Sequence, residues 1–488
     1  MKLDNIQAAA RPAVMQTLAK PRLARVAAAV ALAATAAGAA LPAHAAGEAK
    51  NIIFFLGDGM GPVPKTAARI YKYGEAGSLT MDTLPYTARV KTYSLDAQTT
   101  DSAPSMAAYM TGVKQRNEVL GMNGDTVAVA PGKDPVTGVS NAVNNCLPTN
   151  GAAVTTLIEY AIAKGKATGA VTTARLTHAT PAATYAHICH RDTEYEIARQ
   201  AVPGGAGFNA RLGNGVDVLM GGISSYWRPY NAATTPKGRP DGRDLVAELQ
   251  AKGYSYASDL TSFNALPTAA GTKVIALFDQ ALSQGHMSYE ADRDPTKEPS
   301  LAEMTVKAID ILSKNSNGYF LMVEGGRIDH ALHGTNAYRA VTDTVAFDDA
   351  IKAALGKVDL SNTLIVVTAD HDHTMAFNGY GKKGTPILGL NVNYATGRNS
   401  LDADGLPYTT LVFGGGSNRP DVRATLDSET VQGKDYLQEV VIRRGAPGSE
   451  THGGGDVQLY STGAGSKSFK GTIDNTRVFT LVKSAGGL

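Results

Sequence analysis

Residues 51–61 read NIIFFLGDGMG, an apolar run that passes directly into a glycine-rich turn. A run that is apolar at every position predicts a strand buried on both faces, as in a parallel sheet. Asp58 would then follow the carboxyl end of this strand, where open α/β sheets bind ligands. Asp-Gly is also a common turn sequence, so Asp58 alone leaves a simple turn role open.

Two more apolar runs of the same kind lead into acidic residues. Tyr319–Val323 precedes Glu324, and Thr363–Ala369 precedes Asp370. Because parallel strands present their carboxyl ends at one edge of a sheet, we expect these side chains to lie near Asp58. Further elements are expected as helices at 151–164, 245–251 and 336–355, strands at 169–173 and 216–222, and a closing strand pair at 457–460 and 478–482.

Residues 99–112 read TTDSAPSMAAYMTG and predict a helix that begins near Ser102. Pro104 would lie in the first turn, where its missing N–H costs little, and Gly112 is a suitable C-terminal stop. The free N–H groups and the dipole of such a helix end favour an anion. A serine at this position can also be a simple helix cap.

Four acids and three histidines follow or flank these predicted strands, and an apolar sheet edge could not hold them unpaired. They are Asp58, Glu324, Asp329, Asp370, His333, His371 and His452. Divalent cations would neutralise them: oxygen with imidazole suits Zn, Mn or Fe, and an all-oxygen subset suits Mg. Each residue alone could serve a turn or a surface salt bridge, but their shared position favours a multi-metal site. A serine beside metals suggests metal-activated attack on a phosphate or sulfate ester.

The first 45 residues have the pattern of a secretory signal. Basic residues precede the apolar run Val26–Leu41, and Ala43-His44-Ala45 fits a cleavage site, with Met1 or Met15 as the start. Removing five basic residues and one acidic residue from a chain of net charge +2 leaves a charge near −2. This balance supports neither a nucleic-acid partner nor a membrane partner after signal removal.

Cys146 and Cys189 are the only cysteines of the 488-residue chain. An even pair in an exported protein suggests a disulfide, although two buried free thiols are the alternative.

The chain resembles the alkaline phosphatase family over nearly all of residues 46–488. The motifs that carry the resemblance are FFLGDGMG at 54–61, DSA at 101–103, THATPAATYAH at 177–187 with Arg191, VEGGRIDHALH at 323–333, TADHDH at 368–373 and ETHGG at 450–454. The resemblance implies an exported, periplasmic or secreted enzyme that is a homodimer. The implied fold is a three-layer α/β/α sandwich with a large, mostly parallel sheet, and residues 378–449 resemble the family's dimer-capping insertion.

The resemblance also implies the site. Ser102 would be the nucleophile that forms a phosphoserine, Arg191 would hold phosphoryl oxygens, and Asp101 would orient their surroundings. Two Zn²⁺ and one Mg²⁺ are implied. One zinc would be bound by Asp329, His333 and His452, and the other by Asp58, Asp370, His371 and Ser102. The magnesium would be bound by Asp58, Thr180 and Glu324. His178, His330 and His373 would lie just outside the ligands, and the first two replace the Asp and Lys of the enterobacterial pattern, as in animal enzymes.

The expected substrates are small-molecule phosphate monoesters, and three alternatives are less well supported. A sulfatase would need an arginine where Met106 stands. A phosphodiesterase of the same superfamily fits poorly with Arg191, because a guanidinium fork suits two free phosphoryl oxygens. A non-enzymatic phosphate-binding protein would need neither an aligned serine nor seven metal ligands.

Overall fold

A computed structural model describes residues 49–279 and 285–488, so the predicted signal peptide at 1–45 lies outside the described residues. The strands are β1 Asn51–Gly57, β2 Tyr86–Lys91, β3 Ala167–Arg175, β4 Val218–Gly222, β5 Tyr254–Ala257, β6 Lys273–Phe278, β7 Tyr319–Gly325, β8 Thr363–Ala369, β9 Asp372–His373, β10 Met375–Phe377, β11 Leu411–Gly416, β12 Val440–Arg443, β13 His452–Gly453, β14 Val457–Gly463 and β15 Gly471–Asp474.

Ten of these strands form one sheet, in the order β15-β2-β14-β8-β1-β7-β3-β4-β6-β5. Only β14 runs antiparallel to its two neighbours, β2 and β8, within the described sheet. The predicted large and mostly parallel sheet is therefore confirmed.

The α-helices in the same ranges are α1 Pro62–Tyr73, α2 Ser102–Thr111, α3 Leu157–Ala163, α4 Ala179–Tyr185, α5 Glu194–Gln200, α6 Leu245–Ala251, α7 Leu260–Asn264, α8 Leu301–Leu312, α9 Arg327–His333, α10 Ala337–Leu355 and α11 Asn475–Gly486.

The central strand β1 shows why helices cover both faces of the sheet. Successive side chains of a strand point to opposite faces. The Phe54 ring packs against Tyr109 of α2 at 5.6 Å between centroids, and the Phe55 ring packs against Phe347 of α10 at 6.0 Å. The two helices therefore lie on opposite faces, which gives the expected three-layer α/β/α sandwich.

The register of β1 brings the acidic turns together. Gly57 lies opposite Gly325 of β7 on one side and opposite Ala369 of β8 on the other. Asp58 and Asp370 are therefore the next residues at the same sheet edge, and Glu324 is the penultimate residue of β7. The three apolar runs do form neighbouring parallel strands, as predicted.

The predicted strand at 478–482 is wrong, because these residues belong to helix α11. Asp474 caps this helix by accepting the N–H of Thr476. Val478, Leu481 and Val482 are buried at helical spacing, a period that five residues are too few to distinguish from a strand. The final strand of the sheet is instead β15.

The helix expected at 151–164 begins only at Leu157. Thr156 is its cap, and the Thr156 and Glu159 side chains form a capping box with each other's backbone N–H groups. A capping box marks the start of a helix, so residues 151–155 lie before it.

Residues 378–449 contain much of a separate three-stranded sheet, β10-β11-β12, joined by loops. Tyr380 and Val422 in this segment are 83% and 85% exposed. Its function as a dimer cap stays a prediction.

The expected disulfide is present between Cys146 and Cys189, whose Cα atoms lie 5.8 Å apart. It ties the loop before α3 to the segment that carries Arg191, two residues beyond Cys189. Among the helices of the described ranges, none combines the length and the apolar character needed to cross a bilayer.

Candidate active site

Ser102 is the first residue of α2 and is only 2% exposed. The cap of the helix is Asp101 rather than Ser102, since Asp101 Oδ1 accepts the N–H of Ala103 at 2.7 Å. The Ser102 hydroxyl is therefore not used for capping. Its Oγ lies 3.3 Å from Asp58 Oδ1 and 3.2 Å from His371 Nε2.

Two hydrogen bonds fix α2 to the end of strand β8. The hydroxyl of Tyr109 donates to the carbonyl of Ala369 at 2.8 Å, and the hydroxyl of Ser105 donates to the carbonyl of Asp370 at 2.7 Å. Every residue of α2 is buried. The position of Ser102 relative to the sheet edge is thus set by the packed core.

Three groups of side chains could hold a metal ion, and we call them ligand groups; the first is formed by Asp58, Asp370 and His371. Asp370 Oδ1 accepts the N–H of Gly59 at 2.9 Å. His371 Nε2 lies 3.3 Å from Asp58 Oδ1 and 3.4 Å from Asp370 Oδ2. The buried Oδ2 atoms of both aspartates have no hydrogen-bond partner among the residues that the structure describes.

Asp329, His333 and His452 form a second group, to which the structure adds His373. Asp329 and His333 lie one turn apart on α9, and His333 Nε2 is 3.3 Å from Asp329 Oδ1. His452 Nε2 is 3.1 Å from His333 Nε2. His373 lies against this group, with its Nε2 2.7 Å from Asp329 Oδ1 and its Nδ1 2.6 Å from Glu450 Oε2.

The three histidines His333, His371 and His452 share one orientation. Each directs its Nδ1 to a backbone carbonyl, that of Glu450 at 2.6 Å, Asp372 at 3.1 Å and Thr100 at 2.8 Å, respectively. A neutral imidazole whose Nδ1 donates presents the Nε2 lone pair, which is how metal-ligating histidines are commonly held. Since the Nε2 lone pairs of His333 and His452 would repel each other at 3.1 Å, a cation between them fits this arrangement.

Asp58, His178 and Glu324 form the third ligand group, and the Thr180 side chain lies near Glu324. Glu324 Oε2 accepts from the hydroxyl of Thr172 on the neighbouring strand β3. Glu324 Oε1 and Thr180 Oγ1 are buried with no hydrogen-bond partner in the described parts of the chain. Oxygen atoms left in this way are suited to Mg²⁺.

Burial raises the pKa of these carboxyl groups, with help from each other's charge. Burial, followed by the charge of Asp58, raises the pKa of Asp370 to about 8. Burial raises the pKa of Glu324 to about 7, and it raises that of Asp58 well above its usual range. Without a cation, the protein therefore disfavours the ionised forms.

His373 differs from the ligand histidines because both of its ring nitrogens face carboxylates. Although burial alone would lower its pKa, the charges of Glu450 and Asp329 raise it to about 10. A ring that donates from both nitrogens has no lone pair for a metal. His373 is thus suited to orienting Asp329 rather than to binding an ion.

Arg191 is held between Asp101 and His178. Its Nη1 donates to Asp101 Oδ1 at 3.0 Å, and its Nη2 lies 2.8 Å from His178 Nε2. Burial alone would lower the pKa of Arg191, but nearby carboxylates, led by Asp101, raise it. Asp101 thus caps the Ser102 helix and holds Arg191 at the same time.

Some site neighbours were not assigned a role from the sequence. Glu450, inside the ETHGG motif, accepts from His373 and from the backbone N–H of Thr374. His286 packs against the rings of His178 and His330. A lone histidine in a loop carries no sequence signal of that contact.

The comparisons with known proteins agree with this geometry. A family model described as alkaline phosphatase matches residues 49–488. The chain is 37% identical over 442 residues to the tissue-nonspecific alkaline phosphatase of Gallus gallus, covering 85% of this chain and 80% of the relative. It is also 37% identical over 446 residues to an alkaline phosphatase of Gadus morhua, covering 85% and 87%.

The chain belongs to the alkaline phosphatase family.

Membership in this family confirms the resemblance and the expected phosphomonoesterase activity. It favours that activity over a sulfatase, a phosphodiesterase or a non-enzymatic phosphate-binding protein. Solved alkaline phosphatases share the fold. The structure from Thermus thermophilus has a TM-score of 0.64 at 24% identity, covering 91% of this chain and 93% of the other. The structure from the Antarctic bacterium TAB5 has a TM-score of 0.62 at 23% identity, covering 90% and 98%.

The raised carboxyl pKa values predict how pH affects the protein stripped of metal by a chelator. Asp370 and Glu324 stay protonated to about pH 8 and about pH 7 in the folded state, but titrate near 3.8 and 4.5 when unfolded. The folded state then binds more protons, so its stability falls as pH rises. Between pH 6.5 and 8.5 these two carboxyl groups together should lower the free energy of unfolding by on the order of 2–3 kcal/mol.

The window starts at pH 6.5 because buried histidines with lowered pKa values, such as His286, act in the opposite sense below it. His373, whose pKa is raised to about 10, lowers stability with rising pH in both forms. Metal-loaded protein should therefore show a smaller decline than stripped protein, because bound cations keep the carboxylates of Asp370 and Glu324 ionised throughout. Denaturant unfolding of both forms across this range is the measurement. Parallel pH profiles for the two forms would contradict the metal assignment.

Proposed function

We propose that the enzyme hydrolyses phosphate monoesters in two steps through a phosphoserine on Ser102. The observation that carries the proposal is the hydroxyl of Ser102, which does not cap α2 but lies buried at its start, within 3.3 Å of Asp58 and His371. An ordinary structural serine at a helix start would cap it, and here Asp101 does so. The free N–H groups of α2 add a field that favours the phosphoryl group.

In the first step the Ser102 oxygen attacks phosphorus, and the bond from phosphorus to the alcohol oxygen breaks. The hydroxyl proton is lost to solvent, and the alcohol leaves after taking up a proton. In the second step water attacks the phosphoserine from the opposite side, which releases phosphate and returns a proton to Ser102. Positioning and electrostatics supply most of the rate in such transfers.

Arg191 would bind two oxygens of the phosphoryl group. One N–H of each terminal nitrogen is directed at Asp101 and at His178. The second N–H of each nitrogen is left for substrate, in the planar fork that suits bidentate phosphate binding. A monoester offers two charged oxygens to this fork, which supports phosphate monoesters as the substrate class.

We assign two Zn²⁺ and one Mg²⁺ to the three groups of side chains. Asp329, His333 and His452 would hold one zinc, and Asp58, Asp370 and His371 the other, next to Ser102. Asp58, Thr180 and Glu324 would hold magnesium. When bound, these cations supply positive charge that lowers the pKa of a hydroxyl and offsets charge on the phosphate. The unpartnered buried oxygens and the shared histidine orientation support this assignment.

Replacing Ser102 tests the proposed nucleophile. Ser102→Ala should lower kcat/KM for an aryl phosphate by about a thousandfold or more, equivalent to on the order of 4 kcal/mol of transition-state stabilisation. Wild-type enzyme should also transfer phosphate to an added alcohol such as Tris, because a phosphoserine partitions between acceptors, and the variant should lose that transfer.

Thr111→Val is the matched control, since it removes a buried hydroxyl from the other end of the same helix, where it bonds the carbonyl of Ala107. It should keep both activities. Undiminished turnover in Ser102→Ala, or Tris transfer equal to that of the wild type, would refute a nucleophilic Ser102.

We also propose that the enzyme is exported and forms a homodimer capped by residues 378–449. The signal-like residues 1–45 and the exposed apolar side chains of the cap segment support this. Protein recovered from the periplasm or medium should begin at Ala46 or Gly47 by intact mass, and light scattering should give twice the chain mass. A retained Val26–Leu41 segment would indicate a membrane anchor, and a single-chain mass would exclude the dimer.

A further inference from the structure

Three histidines pack together near Arg191, and we call them the histidine cluster: His178 and His286, which are buried, and His330, which is partly buried. The ring centroids of His286 and His330 are 4.0 Å apart, those of His178 and His330 are 5.3 Å apart, and those of His178 and His286 are 5.7 Å apart. His286 is 3% exposed and comes from the loop after β6, far along the chain from the other two. It belongs to none of the three ligand groups.

The His286 ring is anchored on Arg175, at the end of β3. Its Nδ1 accepts the backbone N–H of Arg175 at 3.0 Å, and this hydrogen bond anchors the ring. Nε2 then carries the ring hydrogen, so its contact with Nη1 of the same arginine, at 2.7 Å, is packing and not a hydrogen bond. Arg175 is itself held by Glu194 of α5, through contacts of 2.7 to 3.0 Å from Nε and Nη2.

The backbone at His286 is also fixed. A side chain at Gly222, the last residue of β4, would come within 2.4 Å of the carbonyl of Gly285 and 2.9 Å of the Cα of His286. The N–H of Met287 donates to the carbonyl of Thr173 at 3.1 Å. The His286 ring is therefore a rigid part of the sheet edge.

His178 connects the histidine cluster to Arg191. His178 Nε2 lies 2.8 Å from Arg191 Nη2, whereas His178 Nδ1 is buried with no hydrogen-bond partner within residues 49–279 and 285–488. Because no second hydrogen bond holds this ring, its orientation depends on packing against His330 and His286. Removing the anchored ring would free His178 to turn, and Arg191 would lose its partner opposite Asp101.

We infer that His286 is a positioning residue that holds Arg191 in its phosphate-binding geometry through the ring of His178. This rests on the proposed function, in which Arg191 binds phosphoryl oxygens. The ring of His286 holds His178 in place by packing, whereas the hydrogen bond of His286 to the Arg175 backbone contributes to the stability of the fold. The two functions can therefore be separated by substitution.

The test compares three variants of the metal-loaded enzyme, with inorganic phosphate as the inhibitor and an aryl phosphate as the substrate. His286→Ala removes both the ring and the acceptor, and should raise the phosphate Ki and the KM about three- to tenfold while kcat changes less than about threefold. His286→Phe keeps a ring and should retain a Ki within about twofold of wild type, with a lower melting temperature. His286→Asn keeps an acceptor near the Nδ1 position, and should retain stability but show the raised Ki.

His187→Ala is the control, because this buried histidine bonds Glu159 and the carbonyl of Gly121 outside the histidine cluster. It should lower stability without changing the Ki. A raised Ki in His187→Ala equal to that in His286→Ala would mean that any buried cavity weakens phosphate binding, and it would overturn the inference. So would a raised Ki in His286→Phe together with a normal Ki in His286→Asn.

The same measurement in an Arg191→Ala background separates this inference from the proposed function. If His286 acts through Arg191, His286→Ala should not raise the Ki further once Arg191 is absent. An equal increase in both backgrounds overturns the positioning role. If Arg191→Ala alone leaves the Ki unchanged, the phosphate-binding role proposed for Arg191 fails, and the inference that depends on it fails as well.

Discussion

Four carboxylates, those of Asp58, Glu324, Asp329 and Asp370, lie buried at one edge of an apolar sheet, each at most 3% exposed. An ionised carboxylate in such surroundings is costly unless a positive partner neutralises it. Arg191, the arginine whose charge acts on Asp58, is already held by Asp101. Burial accordingly raises the pKa of Asp58, Asp370 and Glu324. The arrangement becomes favourable when divalent cations occupy the three ligand groups, and the rest of the site depends on that requirement.

The fold provides the rigidity that such a site needs. Strands β1, β7 and β8 end together because their registers align at Gly57, Gly325 and Ala369. Helix α2 is bonded to the end of β8, so Ser102 cannot move independently of Asp370. Asp101 couples the helix to Arg191, and the histidine cluster supports Arg191 from its other side. Ser102, the side chains proposed to bind metal and Arg191 are thereby fixed to one sheet edge.

Local sequence patterns explain why much of the fold and of the candidate site could be predicted. The buried strands β1, β7 and β8 are apolar over most of their length, and each has an acid at its carboxyl end or directly after it, so short windows carry both signals. Residues 478–482 were misassigned because an apolar window of five residues fits a strand or a helix equally well, and the cap at Asp474 lies outside it. The contact of His286 with His178 joins residues 108 positions apart, and neither lies in a periodic segment that would indicate it. The hydrogen bonds that fix the histidine tautomers, such as that between His452 Nδ1 and the carbonyl of Thr100, likewise depend on tertiary packing.

The proposed mechanism depends on a covalent step at Ser102, and the stereochemistry at phosphorus tests that step most directly. A phosphate ester made chiral with oxygen isotopes would be turned over by the metal-loaded enzyme, with an alcohol as the acceptor, and the configuration of the product determined. Two successive in-line displacements, first by Ser102 and then by the acceptor, predict net retention of configuration. Net inversion would mean a single direct displacement, and Ser102 would then bind substrate without forming a covalent intermediate.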